Sequence, residues 1–163
     1  MIENIIFELS AIVDYRGSNL RYVNSFVSFF NCVGVYNTIL VSLLSEEETE
    51  TITDRLRLSK LFFDSRIYNM QWDYSRNLDD EAEIDEQIRK LFVRTAMCSG
   101  FNLGNSLIVA GDYHVYKATK TCNLPCIVIR ADIEDKADLF LEALYSHSNY
   151  DYIEDIFPLF FNR

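Results

Sequence analysis

The stretch SLIVAGDYHVYKATKTCNLPCIVI, residues 106–129, reads as one strand–helix–strand unit. Ser106 to Ala110 is a short apolar run, too short for a buried helix and bounded by turn residues, so it reads as a strand covered on both faces. Gly111 and Asp112 turn the chain, and Val115, Ala118 and Cys122 then recur at helical spacing on one side of the next segment. After Leu124-Pro125, Cys126 to Ile129 is a second apolar strand. Strands joined through a helix run parallel, because the helix carries the chain back to the starting edge.

The same alternation extends outward in both directions. Asn4 to Leu9 (NIIFEL) is a first strand, buried on both faces. From Ser18 the apolar positions Leu20, Val23, Val27 and Phe30 predict a helix that stops at Gly34. Thr38 to Leu43 is the second strand, and Ser45 with Glu48 forms a capping box for a helix running to about Leu58. Lys60 to Met70 reads as a short extended segment and Gln71 to Asp79 as a polar loop. A long helix follows, with Ile84, Ile88, Leu91, Phe92 and Thr95 on one face and a stop at Gly100. Ala137, Phe140, Leu141 and Leu144 mark a later helix, and Tyr152 to Phe157 a last short one before Pro158. Strands alternating with amphipathic helices predict an α/β fold: a three-layer, Rossmann-like parallel sheet with right-handed crossovers and helices on both faces.

The 163 residues suit a single domain, 1–163, large enough to bury a core without disulfides or metal. With 49% hydrophobic residues, 5 Gly and 2 Pro, the composition excludes a disordered or fibrous chain. No apolar run reaches the roughly 20 residues that cross a bilayer, and no signal-like start is present, so the expected location is cytoplasmic, away from the membrane. Cys32, Cys98, Cys122 and Cys126 lack redox or zinc spacing and read as buried reduced thiols. A net charge of −10 with no Lys/Arg cluster argues against a nucleic-acid partner. The acids gather at Glu46 to Glu50 and Asp79 to Glu86, where helices begin and carboxylates favour the positive end of the dipole.

In a parallel sheet ligands bind at the carboxyl ends of the strands, and the residues there carry a resemblance. MIENIIFELSAIVD resembles the first motif of the haloacid dehalogenase-like (HAD-like) superfamily, a buried strand ending in Asp-x-Asp. TILVSLLS resembles the second, a strand ending in Ser or Thr. RLRLSKLFFDSRIYN is similar to the segment that leads into the third strand, and SLIVAGDYHVYKATKTCNLPCIVI to the fourth motif with its Gly-Asp. The four pieces keep the family's order across nearly the whole chain. The short connections imply a capless or minimal-cap member with an open active face.

The resemblance implies phosphatase chemistry on altered residues. In the family the first Asp attacks phosphorus and the second is the general acid–base. A Ser or Thr and a Lys hold the phosphoryl oxygens, and carboxylates of the first and fourth motifs bind Mg²⁺. Here the nucleophile position is Glu8, whose extra methylene displaces the carboxylate by about 1 Å or more, which in-line attack tolerates poorly. The acid–base position is Ser10, which cannot titrate near neutrality; losing that step costs about 10²- to 10⁴-fold. Ser42 matches the phosphate-binding hydroxyl. The third-motif Lys has no clear heir, counting leading to Arg76 or to Glu86 with Lys90 nearby, and of these Arg76 is the one suited to phosphate. Asp112 keeps the fourth-motif carboxylate, Tyr116 replaces the second acid often found four residues later, and His114 shares the turn.

The expected site is therefore Glu8 and Ser10 at the catalytic positions, Ser42 and Arg76 at the phosphate, and Glu8 with Asp112 for a weakly held magnesium ion. Because the departures fall on the chemistry and not on the packing residues, the resemblance implies a pseudoenzyme-like domain that acts as a ligand- or protein-binding module and not as a catalyst. Its partner would be another protein or a small phosphorylated ligand. The alternative is a Mg²⁺-dependent phosphatase with a rearranged site.

Overall fold

The computed structural model describes residues 3–15, 20–22, 37–63 and 66–128. Its centre is a parallel sheet of five strands: β1 (Asn4–Glu8), β4 (Asn37–Ser42), β5 (Ile67–Asn69), β6 (Ser106–Ala110) and β7 (Cys126–Val128), in the order β5-β4-β1-β6-β7. β1 lies in the middle and pairs with β4 on one side (Phe7 opposite Leu40) and β6 on the other (Phe7 opposite Val109). Two further strands, β2 (Val13–Asp14) and β3 (Arg21–Tyr22), form an antiparallel pair beyond the single helical turn α1 (Leu9–Ile12) that follows β1.

Alternate residues of the central strands feed two separate cores, which is why the middle positions of these strands are consecutive apolar residues. Ile5, Phe7, Leu40, Leu107 and Val109 face one way, towards Ile52 of α2 (Glu46–Leu56), Leu58 and Phe62. The rings of Phe7 and Phe62 meet edge to face with centroids 5.7 Å apart. Ile6, Ile39, Val41, Ile108 and Ala110 face the other way, towards Ile88, Leu91 and Phe92 of α3 (Glu81–Ser99) and Val115 and Ala118 of α4 (Tyr113–Thr121). Helices thus cover both faces of the sheet. Ile5, Ile6 and Phe7 have no exposed surface, and each such side chain contributes about 1.5–3 kcal/mol by leaving water.

The helix starts follow local chemistry. Ser45 caps α2 by accepting from the Glu48 amide at 3.3 Å, while the Glu48 carboxylate accepts from the Ser45 amide at 3.1 Å, the expected capping box. Asp80 caps α3 and Asp112 caps α4, each through a side-chain oxygen. Gly100, at φ 76°, ends α3 in the left-handed conformation that glycine adopts without steric penalty.

Of the cysteines expected to be buried, Cys126 is, whereas Cys98 and Cys122 are exposed near the ends of their helices, and several boundaries differ from the sequence reading. The first strand ends at Glu8, because Leu9 already begins α1, and the second spans Asn37–Ser42. α2 stops at Leu56, and a 3-10 turn at Leu58–Lys60 follows before the short strand β5. The helix expected from Ser18 does not begin there: Arg21 and Tyr22 are extended and pair with Val13 and Asp14. The remainder of that helix, Cys32, Asp64, Ile129, the helices at Ala137–Leu144 and Tyr152–Phe157, and His147 lie outside the described residues. Within the described residues no helix is long and apolar enough to cross a membrane.

Candidate functional site

The strand order reverses direction between β1 and β6, since the chain leaves β1 for β4 on one side and leaves β6 for β7 on the other. In open parallel sheets the ligand crevice opens at this point, beyond the carboxyl ends of the two strands. Glu8 ends β1 and Asp112 lies two residues beyond β6, so these two acids stand at the same end of the sheet.

What they build there is a closed joint. Glu8 has no exposed surface and Ser10 is 6% exposed. Glu8 Oε1 accepts from the Ser10 amide at 3.0 Å, and Oε2 accepts from the Gly111 amide at 3.1 Å and from the Ser10 hydroxyl. Glu8 is thereby the N-cap of α1, its extra methylene letting it reach both the following turn and the loop after β6. The two loops are in backbone contact at the same place. A Cβ on Gly111 would fall 2.3 Å from the Ser10 carbonyl carbon and oxygen and 2.5 Å from the Ala11 nitrogen.

Burial raises the Glu8 carboxyl above its usual range. The bonds from Ser10 and Gly111 work in the opposite direction, and the negative charge of Asp112 adds to the rise.

Ser42 is fully buried at the end of β4. Its Oγ accepts from the Leu44 amide at 3.1 Å and from Thr49 Oγ1 at 2.8 Å, tying the strand end to α2. Arg76 stands in the exposed loop after β5, where its guanidinium pairs with Asp73 at 3.6 Å. Of the alternatives to Arg76 that the sequence offered, Glu86 bonds Arg89 at 2.9 Å on the surface of α3, and Lys90 is exposed on the same helix. Asp112 Oδ1 accepts from the His114 amide at 2.8 Å. His114 Nδ1 is buried with no hydrogen-bond partner. Tyr116, at the position of the second acid, packs against the core beside α3, with Lys120 Nζ 5.7 Å from its ring centre.

The structure thus brings Glu8, Ser10 and the loop bearing Asp112 together, sets Ser42 at the end of the next strand, and leaves Arg76 engaged with its own loop. This donor set does not fit magnesium. The ion takes six oxygens in near-ideal octahedral geometry and keeps several waters among them, whereas Glu8 is sealed from solvent and both its oxygens already accept from N–H or O–H donors. Among the described residues no group of three or more His, Cys, Asp or Glu side chains lies together to hold a metal ion.

Two contributors escaped the sequence reading. Gly111 was seen as a turn residue, but its lack of a side chain is what lets the loops touch. Thr49 carried no signal, since its role depends on Ser42 being one turn away in space. Compared with protein-family models and with curated proteins, the sequence matches none.

Proposed function

We propose that this chain is a HAD-like domain whose catalytic positions serve the fold, and that it acts as a binding module without catalysis. The observation that carries this reading is the state of Glu8. A nucleophilic carboxylate needs a free oxygen about 3–3.5 Å from phosphorus along an open line of approach; Glu8 is sealed from solvent with both oxygens engaged. Ser10 donates its hydroxyl to that same carboxylate and has no proton to give a leaving group near neutrality.

A protein partner suits this module better than a small phosphorylated ligand. The carboxyl end of the sheet carries the first-turn acids Glu46, Glu47 and Glu48 of α2 and Glu81 and Glu83 of α3, together with Asp112. These charges oppose a phosphate, and the cations nearby are already paired, Arg76 with Asp73 and Lys117 with Glu81.

The test is a phosphatase assay on p-nitrophenyl phosphate and acetyl phosphate with magnesium present. The expected result is no turnover above background. Steady hydrolysis near the median enzyme rate of about 10 s⁻¹ overturns the reading.

A further inference from the structure

Charge is unevenly distributed along this chain. The first turns of α3 hold four acids, Glu81, Glu83, Asp85 and Glu86, whereas residues 87–128 contain the cations Arg89, Lys90, Arg94, Lys117 and Lys120 and a single acid, Asp112, in a protein of net charge −10. These residues include most of α3 and all of α4, which pack side by side over one face of the sheet. Arg89 bridges the two helices, bonding Glu86 at 2.9 Å and Thr121 at 3.1 Å. Lys90, Arg94 and Lys120 form no ion pair among the described residues; the Arg94 guanidinium donates to the neutral Asn69 carbonyl and Lys120 Nζ stands over the Tyr116 ring, so all three keep an unneutralised charge.

An apolar ridge runs through this cationic surface. The core side of α3 is Ile88, Leu91, Phe92 and Thr95; Val93 and Met97 lie away from it, 51% and 80% exposed. The other large exposed hydrophobics, Phe63, Tyr74 and Tyr113, stand in separate segments, whereas Val93 and Met97 are one helical turn apart and adjacent on the surface. Lys90, Val93, Arg94 and Met97 follow at i, i+3, i+4 and i+7, a straight ridge two turns long. An exposed methionine is an adaptable contact, since its unbranched, polarizable side chain packs against varied apolar shapes.

We propose that this face of α3, with the cations of α4 beside it, docks an acidic amphipathic helix of a partner protein. Leucine-like side chains of the partner would cover Val93 and Met97, and its carboxylates would meet Lys90, Arg94 and Lys120. Nucleic acid is the weaker fit, because the ridge centre is apolar and the whole chain repels a polyphosphate. A symmetric contact with a second copy sets the same cations against each other. The surface lies away from the Glu8 joint, so this inference does not rest on the family reading.

The experiment uses the full chain and a fluorescent acidic peptide of about 18 residues, long enough to form helix on binding, with leucines at three- and four-residue spacing. A saturable rise in anisotropy is expected, weakening with salt and lost when the leucines are replaced by serine. Lys90→Glu and Met97→Asp should each weaken binding about tenfold or more while keeping the parent's circular dichroism and melting temperature, since both side chains are exposed. The proposal is overturned if the parent does not bind, if the two variants bind equally well, if oligo-dT competes as effectively as the peptide, or if sedimentation shows a dimer that Met97→Asp dissociates. None of these outcomes bears on the phosphatase assay.

Discussion

Glu8 Oε2 accepts a hydrogen bond from the Gly111 amide at 3.1 Å, joining the ends of two neighbouring strands that are 103 residues apart in the chain. The same carboxylate caps the turn after its own strand through Ser10. One side chain therefore fixes both loops at the point where a parallel sheet otherwise opens to a ligand.

Gly111 tolerates no side chain in this arrangement. Gly111→Ala places a methyl group 2.3 Å from the Ser10 carbonyl, a contact with backbone that rotamer changes cannot relieve. Destabilisation of at least about 1–3 kcal/mol is expected from overpacking, read as a lower urea midpoint with unchanged slope. A variant as stable as the parent would mean that the loops stand further apart.

The Glu8 carboxyl titrates above its usual range in the folded chain, so the native state holds its proton more tightly than the unfolded state does. Its contribution is fully present below the ordinary glutamate range and is lost as pH rises through the raised value. Glu8→Gln removes this titration but leaves one of the three donors, the Gly111 amide, facing an NH₂ group, at a cost of about 1–3 kcal/mol. The stability gap between parent and variant should be largest in acid and narrow towards alkaline pH. Urea titrations from pH 5 to 9 that show a constant gap would place the Glu8 titration outside that range.

Ser42→Ala should behave as a structural substitution. It strips the acceptor from the Leu44 amide, while the Thr49 hydroxyl, which donates to Ser42 in the parent, has the Ser45 carbonyl 2.8 Å away as its alternative acceptor. A loss of about 1–2 kcal/mol is expected, with no change in calorimetric heat on titration with inorganic phosphate. A phosphate affinity in the parent that disappears in Ser42→Ala would restore this serine to a ligand site.

Glu8→Asp with Ser10→Asp tests the family positions directly. The shorter carboxylate withdraws from Gly111 and leaves two acids in one buried turn beside Asp112, where mutual repulsion favours a cation. The double variant should bind magnesium in calorimetry and melt at a higher temperature with the ion present, the parent doing neither. Turnover should remain slow, since no Lys stands at the phosphate. A folded double variant indifferent to magnesium would show that Glu8 and Ser10 do not correspond to the family's aspartates.

Much of this was readable in the chain because it is local. The strands at Asn4–Glu8 and Ser106–Ala110 carry unbroken apolar runs, Ile5 to Phe7 and Leu107 to Ala110, the Ser45/Glu48 box lies within one turn, and the stripe from Ile84 to Thr95 has the helical period. The Arg21–Tyr22 strand was not readable in this way. Leu20, Val23 and Val27 have helical spacing, and only the hydrogen bonds to Val13 and Asp14 across an intervening loop make that piece extended.

The local pattern of the chain set the alternation of strands and helices, the Ser45 cap of α2, and the presence of an acid, a serine and a Gly-Asp pair at strand ends, because periodicity and capping act within a few residues. Only the tertiary structure decided what those end groups do. Whether a carboxylate is a nucleophile, a metal ligand or a structural acceptor depends on the donors that reach it and on its access to water. For Glu8 one decisive donor, Gly111, comes from the opposite half of the chain, brought close by the parallel pairing of β1 with β6.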